Sequence, residues 1–134
     1  MRVVIDTNVL ISYLLSASNS TSKKTVNKVL AQNHSLLISN ETFKELSITL
    51  LKDKFDPYVS LEKRQQFLLM IKSIAEFITI QERINKCRDK KDNQFLEVAV
   101  SGNANLIITG DKDLLVLNPF RNINILSPAD FYQL

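Results

Sequence analysis

The sequence predicts an α/β fold with a mostly parallel sheet covered by helices on both faces. Three observations lead there. Short aliphatic runs at Val3–Ile5, Leu36–Ile38, Leu106–Thr109 and Ile123–Leu126 read as buried strands. Apolar residues three and four apart fill the stretches between them, which is helical periodicity. The 134 residues are 45% apolar and 23% charged, the composition of a globular protein. Residues 1–134 are expected to form one domain, long enough to bury roughly two-thirds of the surface that an unfolded chain exposes.

Each element has its own signal. Val3–Ile5 stops at a polar turn, Asp6-Thr7-Asn8, and a helix is expected over Val9–Leu15 with Asp6 or Thr7 as cap. Ser16–Ser22 is Ser/Asn-rich and reads as a loop, followed by a helix with Val26, Val29 and Leu30 on one face. After Leu36–Ile38, Ser39 or Asn40 caps a helix with Phe43, Leu46 and Leu50 inward. Asp53–Ser60 contains Pro57 and is a connection with room for a short helix. Phe67, Ile71 and Ile74 continue a helical repeat to about Ala75, with a strand expected over Phe77–Ile80. Arg83–Lys91 is polar and basic. A helix with Leu96, Ala99 and Val100 inward then ends near Gly102. Leu114-Leu115 begins a short helix, and Ser127-Pro128 opens the last one.

Absences narrow the chemistry. The 17 Lys and Arg exceed the 14 Asp and Glu by three, a mild positive excess compatible with a polyanion. Cys87 is the single cysteine, so no internal disulfide or CxxC zinc site exists, and a reducing, cytoplasmic setting is expected. His34 is the single histidine, within the polar stretch Gln32-Asn33-His34-Ser35, which rules out two-His metal sites and two-His acid–base catalysis. With only Gly102 and Gly110, neither GxGxxG nor a P-loop can be written. The longest apolar run, Phe67–Ile71, is far too short to span a membrane, so no membrane partner is expected.

In parallel α/β sheets ligands bind beyond the carboxyl ends of the strands. Asp6 follows the first strand, Asp111 and Asp113 follow Leu106–Thr109, Asp89 and Asp92 open the preceding helix, and Glu45 can reach the same edge from its own helix. Converging carboxylates repel one another unless divalent cations neutralise them. Oxygen ligands without His or Cys select Mg²⁺ or Mn²⁺, and such ions suit phosphodiester hydrolysis. Plainer readings stand beside this one. Asp6 can be a turn former or cap. Asp89 and Asp92 can be a capping pair, which is the preferred reading for Asp89. Glu45 with Glu41 can be a solvated stripe, and Asp113 is expected to point away.

At these residues the sequence resembles a family. Val3-Val4-Ile5-Asp6-Thr7-Asn8-Val9-Leu10, Ser39-Asn40-Glu41-Thr42-Phe43-Lys44-Glu45-Leu46, Asp89-Lys90-Lys91-Asp92-Asn93-Gln94-Phe95-Leu96 and Ile107-Ile108-Thr109-Gly110-Asp111-Lys112-Asp113-Leu114 are similar to the PIN-domain ribonucleases. Within these, the chain resembles the toxins of VapC-like toxin–antitoxin pairs. The resemblance implies a PIN-like three-layer α/β/α sandwich with a mostly parallel central sheet. It places the family's four acids on Asp6, Glu45, Asp92 and Asp111. Asn8 matches the polar residue beside the first acid, and Thr109 the hydroxyl residue before the fourth. Asp89 and Asp113 match positions often acidic but without a settled catalytic role. It also implies a metal-dependent endoribonuclease, an RNA substrate, a cognate antitoxin protein and a homodimer.

Placement and resemblance lead to the same roles. Asp6 and Asp92 are expected as direct ligands of Mg²⁺ or Mn²⁺, Asp111 completes the site, and Glu45 orients the attacking water. Arg83, Lys86, Arg88, Lys90 and Lys91 place five cations in nine positions leading into the acids. That run is either a solvated face or a phosphate track. The alternative functions are a non-catalytic nucleic-acid-binding module, a haloacid-type phosphatase and a receiver domain. The phosphatase wants Asp at position 8, which is Asn8, and the receiver wants an acid after Ile80, where Gln81 stands.

Overall fold

The computed structural model describes residues 1–16, 19–31 and 33–134. The predicted loop 16–22 and polar stretch 32–35 therefore fall partly outside the described residues, at Ala17, Ser18 and Gln32. Strands β1 (Arg2–Ile5), β2 (Ser35–Ile38), β3 (Glu76–Phe77), β4 (Leu106–Ile108) and β5 (Asn124–Leu126) form one parallel sheet in the order β3-β2-β1-β4-β5. The helices are α1 (Thr7–Leu15), α2 (Thr21–Ala31), α3 (Asn40–Leu50), α4 (Leu61–Ile74), α5 (Asn93–Ser101), α6 (Lys112–Leu115) and α7 (Pro128–Tyr132).

Side chains alternate across the sheet, and both faces are buried. Val3, Ile5, Leu36, Ile38, Leu106 and Ile108 pack into a core shared with α1, α2, α3, α4 and α7. Val4, Leu37, Ile107 and Ile125 pack into a second core with α5 and α6. This is the expected α/β/α sandwich, and burial on both faces explains the unbroken apolar runs.

Several boundaries differ from expectation. α1 starts at Thr7, because Asp6 already caps it: Asp6 Oδ1 accepts the Asn8 N–H at 3.1 Å. α2 starts at Thr21, inside the expected loop, where Ser20 Oγ accepts the Lys23 N–H at 3.1 Å. β3 ends at Phe77 instead of Ile80. One further bond, from Ile78 N–H to the Ile38 carbonyl at 2.7 Å, closes the ladder. Residues 78–88 then run as a strap without regular structure. The connection 51–60 contains a short 3₁₀ turn, Asp53–Phe55. It is pinned by the wholly buried Arg64, which donates to the carbonyls of Leu50, Lys52 and Val59 and pairs with Asp56. At Gly102, just past α5, an added Cβ would stand 2.9 Å from Leu37 Cδ1, so glycine lets the helix end close onto β2.

The winding positions the site. β1 lies at the centre, with β2 and β3 to one side and β4 and β5 to the other. The helix after β1 packs on one face and the helix after β4 on the opposite face. The winding therefore reverses between the adjacent carboxyl ends of β1 and β4, the place where parallel sheets bind their ligands.

Candidate active site

Asp6 and Thr109 end those two strands. The Asp6 N–H donates to the Ile108 carbonyl at 3.0 Å, so the backbone ladder itself brings them side by side. Thr109, wholly buried, donates its hydroxyl to Asp6 Oδ2 at 2.7 Å and accepts the Asp111 N–H at 3.0 Å. Asp111 Oδ1 in turn accepts the Asp113 N–H at 2.8 Å, capping α6. Burial pushes the Asp6 carboxyl above the usual carboxylate range, opposed by the Thr109 and Asn8 bonds and reinforced by the charges of Asp111 and Glu45. Asn8 contributes its backbone N–H to Asp6 while its side chain is exposed.

The two acids at the start of α5 differ. Asp89 is a cap: its Oδ1 accepts the Lys91 N–H at 3.1 Å and opens a 3₁₀ turn, Lys90–Asp92. Asp92 occupies the N-cap position of α5 but makes no capping bond. It is buried, and its Oδ2 is closed off from solvent with no hydrogen-bond partner. Single oxygens of Asp92, Asp111 and Asp113 lie within 4.8 Å of one another. Burial first, then hydrogen bonding to Asp111 and the charges of Asp111, Asp6 and Asp89, push the Asp92 carboxyl up to about 8.

Asp113 corrects the expectation that it points away. α6 begins immediately after Asp111, so its first turn returns the Asp113 side chain to the cluster. Arg88 grips both of its oxygens, Nε to Oδ1 at 3.0 Å and a terminal nitrogen to Oδ2 at 3.1 Å. Glu45 is half-buried and accepts a hydrogen bond from Gln94, and its charge acts on Asp6. The solvated-stripe reading fits Glu41 instead, which is exposed and pairs with Arg83 at 2.7 Å.

The strap carries the basic run, and the structure divides it. Arg83 is held by Glu41 and Glu97, and Arg88 by Asp113. Lys86, Lys90 and Lys91 are exposed and have no acidic partner among the described residues. Three side chains from one stripe of α5 lace the strap down. Ser101 accepts the Gln81 N–H at 2.9 Å, Glu97 the Ile84 N–H at 3.0 Å, and Asn93 the N–H groups of Lys86 and Cys87 at 3.0 and 2.8 Å. Sequence reasoning missed Asn93, Gln94 and Glu97. The four-residue spacing of 93, 97 and 101 was the available signal, since it puts polar groups on one face of an otherwise apolar helix.

The other reactive side chains stay outside the chemistry. Burial and the surrounding acids push the Cys87 thiol up to about 11, so it remains a protonated core residue. His34 sits beside Met1 at the amino end of β2, away from the strand ends that carry the acids.

The donor set fits a divalent cation. A buried carboxylate oxygen without a partner is costly, and the same residue lies beside two more carboxylates, for which Arg88 is the one arginine partner among the described residues. Aspartate oxygens are ligands for a hard ion.

Three comparisons bear on this geometry. The family described as PIN domain matches residues 2–113. The uncharacterized protein MJ1680 of Methanocaldococcus jannaschii is 35% identical over 142 residues, covering 99% of this chain and 90% of that one. Three solved structures share the fold. VapBC2 from Rickettsia felis, bound to a DNA fragment from its promoter, gives a TM-score of 0.63 at 19% identity over 95% of this chain and 98% of that one. PAE2754 from Pyrobaculum aerophilum gives 0.64 at 13% identity over 99% and 88%. VapBC-1 from nontypeable Haemophilus influenzae gives 0.61 at 17% identity over 96% and 99%.

Proposed function

Because the chain belongs to the PIN-domain family, we propose that it is a metal-dependent endoribonuclease and the toxin of a toxin–antitoxin pair. The observation that carries the reading is Asp92, whose Oδ2 is buried and unpartnered and which brings one carboxylate oxygen within 4.8 Å of an oxygen of Asp111 and of Asp113. Asp6, Asp92 and Asp111 would hold Mg²⁺ or Mn²⁺, with Asp113 at the rim under the grip of Arg88. A bound ion supplies Lewis acidity, lowering the pKa of water and offsetting charge on the phosphoryl oxygens.

The chain's own residues do the rest. Glu45, oriented by Gln94, accepts a proton from the attacking water. Thr109 holds Asp6 and Asp111 in fixed relation. Lys86, Lys90 and Lys91 draw in backbone phosphates. Water oxygen bonds to phosphorus, the P–O3′ bond breaks, and O3′ takes a proton from solvent, leaving a 5′-phosphate and a 3′-hydroxyl.

Two of the structures that share the fold are VapBC complexes, which supports a cognate antitoxin as partner. The family resemblance extends the proposal to a homodimer working in the cytoplasm. Among the described residues no helix is long and apolar enough to cross a membrane. The test is incubation of purified protein with RNA in Mg²⁺ or Mn²⁺ and in EDTA, with end-group analysis. Cleavage only with the ion, giving 5′-phosphates, is expected. Unchanged cleavage in EDTA, or 2′,3′-cyclic phosphate ends, would overturn it.

A further inference from the structure

A groove of about 470 Å³ starts at Glu45 and runs along α3. Lys44, Glu45, Ile48 and Lys52 line one side and Lys91 the other. Lys44 and Ile48, four apart, share one face of α3, and Lys52 lies just past its end. None of the three lysines has an acidic partner among the described residues, and Glu41 in the same groove is already neutralised by Arg83. Ile48 is 56% exposed between Lys44 and Lys52. A second groove of about 500 Å³, under the strap, shares Glu41 and Lys91 with the first. The two therefore meet at Glu41 and Lys91.

Lys44 lies one helical turn before Ile48, and Lys52 follows just past the end of α3, so the two cations bracket Ile48 along the groove. Cations flanking an exposed aliphatic side chain match a strand that offers phosphates outside and an accessible base or ribose within. A duplex keeps its base faces stacked inside. We infer that α3 forms a second length of substrate path: Lys44, Lys52 and Lys91 hold backbone phosphates of single-stranded RNA, and Ile48 packs against the intervening base or ribose. This rests on the ribonuclease reading for its substrate class, while the residues involved lie outside the acidic cluster.

The test is equilibrium binding of a labelled single-stranded RNA in EDTA across a salt series. Lys44→Ala with Lys52→Ala is compared with Lys63→Ala with Lys72→Ala, which removes the same charge from α4. Loss of two phosphate contacts lowers the log–log salt slope by about 1.4, and the α4 pair leaves it near wild type. Ile48→Ala weakens binding with the slope unchanged, and duplex RNA competes poorly. Equal behaviour of the two lysine pairs, equal competition by duplex, or absence of RNA binding by the wild type would overturn the inference. Cleavage by the wild type in Mg²⁺ is scored separately. A protein that cleaves but shows no special effect of Lys44 and Lys52 rejects the groove alone. One that shows the slope change but never cleaves rejects the nuclease and keeps the groove.

Discussion

The Thr109 hydroxyl donates to Asp6 Oδ2 at 2.7 Å between the ends of two adjacent parallel strands. It also receives the Asp111 N–H, so one buried oxygen fixes two acids. Thr109→Val keeps the shape but removes both bonds. We expect a loss of about 1–3 kcal/mol of stability together with a fall in cleavage, and Thr109→Ser should retain most of both. Thermal melting and an RNA cleavage assay check this; a fully stable and active valine variant would show the bond to be idle.

Asp92 gives a pH signature. Its carboxyl is pushed up to about 8 in the folded protein, against about 3.9 in an unfolded chain. The folded state then binds this proton more tightly. Its contribution to metal-free stability is fully present below about pH 4 and is lost as pH rises toward about 8. Asp92→Asn should flatten that slope. Mg²⁺ at a hundred times its dissociation constant should stabilise the wild type by about 2.7 kcal/mol, and the variant should lose most of this along with cleavage. Melting curves in EDTA and in Mg²⁺ over pH 4–9 measure both. Matching pH slopes and Mg²⁺ shifts in the two proteins would return Asp92 to a structural role.

Arg88 competes with any cation for Asp113. The pair is mostly exposed on the arginine side, so Arg88→Ala should barely move the melting temperature. Removing a positive charge from the rim should raise Mg²⁺ affinity and lower RNA affinity. Calorimetric titration with Mg²⁺ decides it: weaker ion binding in the variant would mean that Arg88 organises Asp113 as a ligand instead of restraining it.

The strap depends on α5. Glu97→Ala strips the buried Ile84 N–H of its acceptor, a cost of about 1–3 kcal/mol, and frees Arg83 from one of its two acids. Hydrogen exchange at Ile84 should accelerate more than the change in global stability explains, while exchange in β1 and β4 follows global stability alone. Uniform acceleration would mean that the strap is not held locally.

The sheet and its layers were legible because strands buried on both faces leave continuous apolar runs such as Leu106–Ile108. The strand-end rule also made Asp6 and Asp111 legible as neighbours, since both follow adjacent strands and both bond to Thr109. β3 was overestimated because Ile78 and Ile80 pack on the α5 core from the strap without extending the ladder. Asp113 was misjudged because its direction depends on the residue at which α6 begins. Asn93 and Glu97 showed only as a polar stripe whose partners the sequence does not name, and Arg64, which satisfies carbonyls distant in sequence, has no local signature.

β1 is made first and sits at the centre of the sheet, yet the Thr109 that fixes its terminal acid is 103 residues further on. Contacts of such long sequence separation form only when the intervening chain is available to close. A fragment lacking residues 106–111 lacks the Thr109 hydroxyl that holds Asp6 and the Asp111 carboxylate beside it, so it has no assembled acidic centre. Assembly of the acidic centre therefore reports closure of β1 against β4, and no local segment of the chain carries it alone.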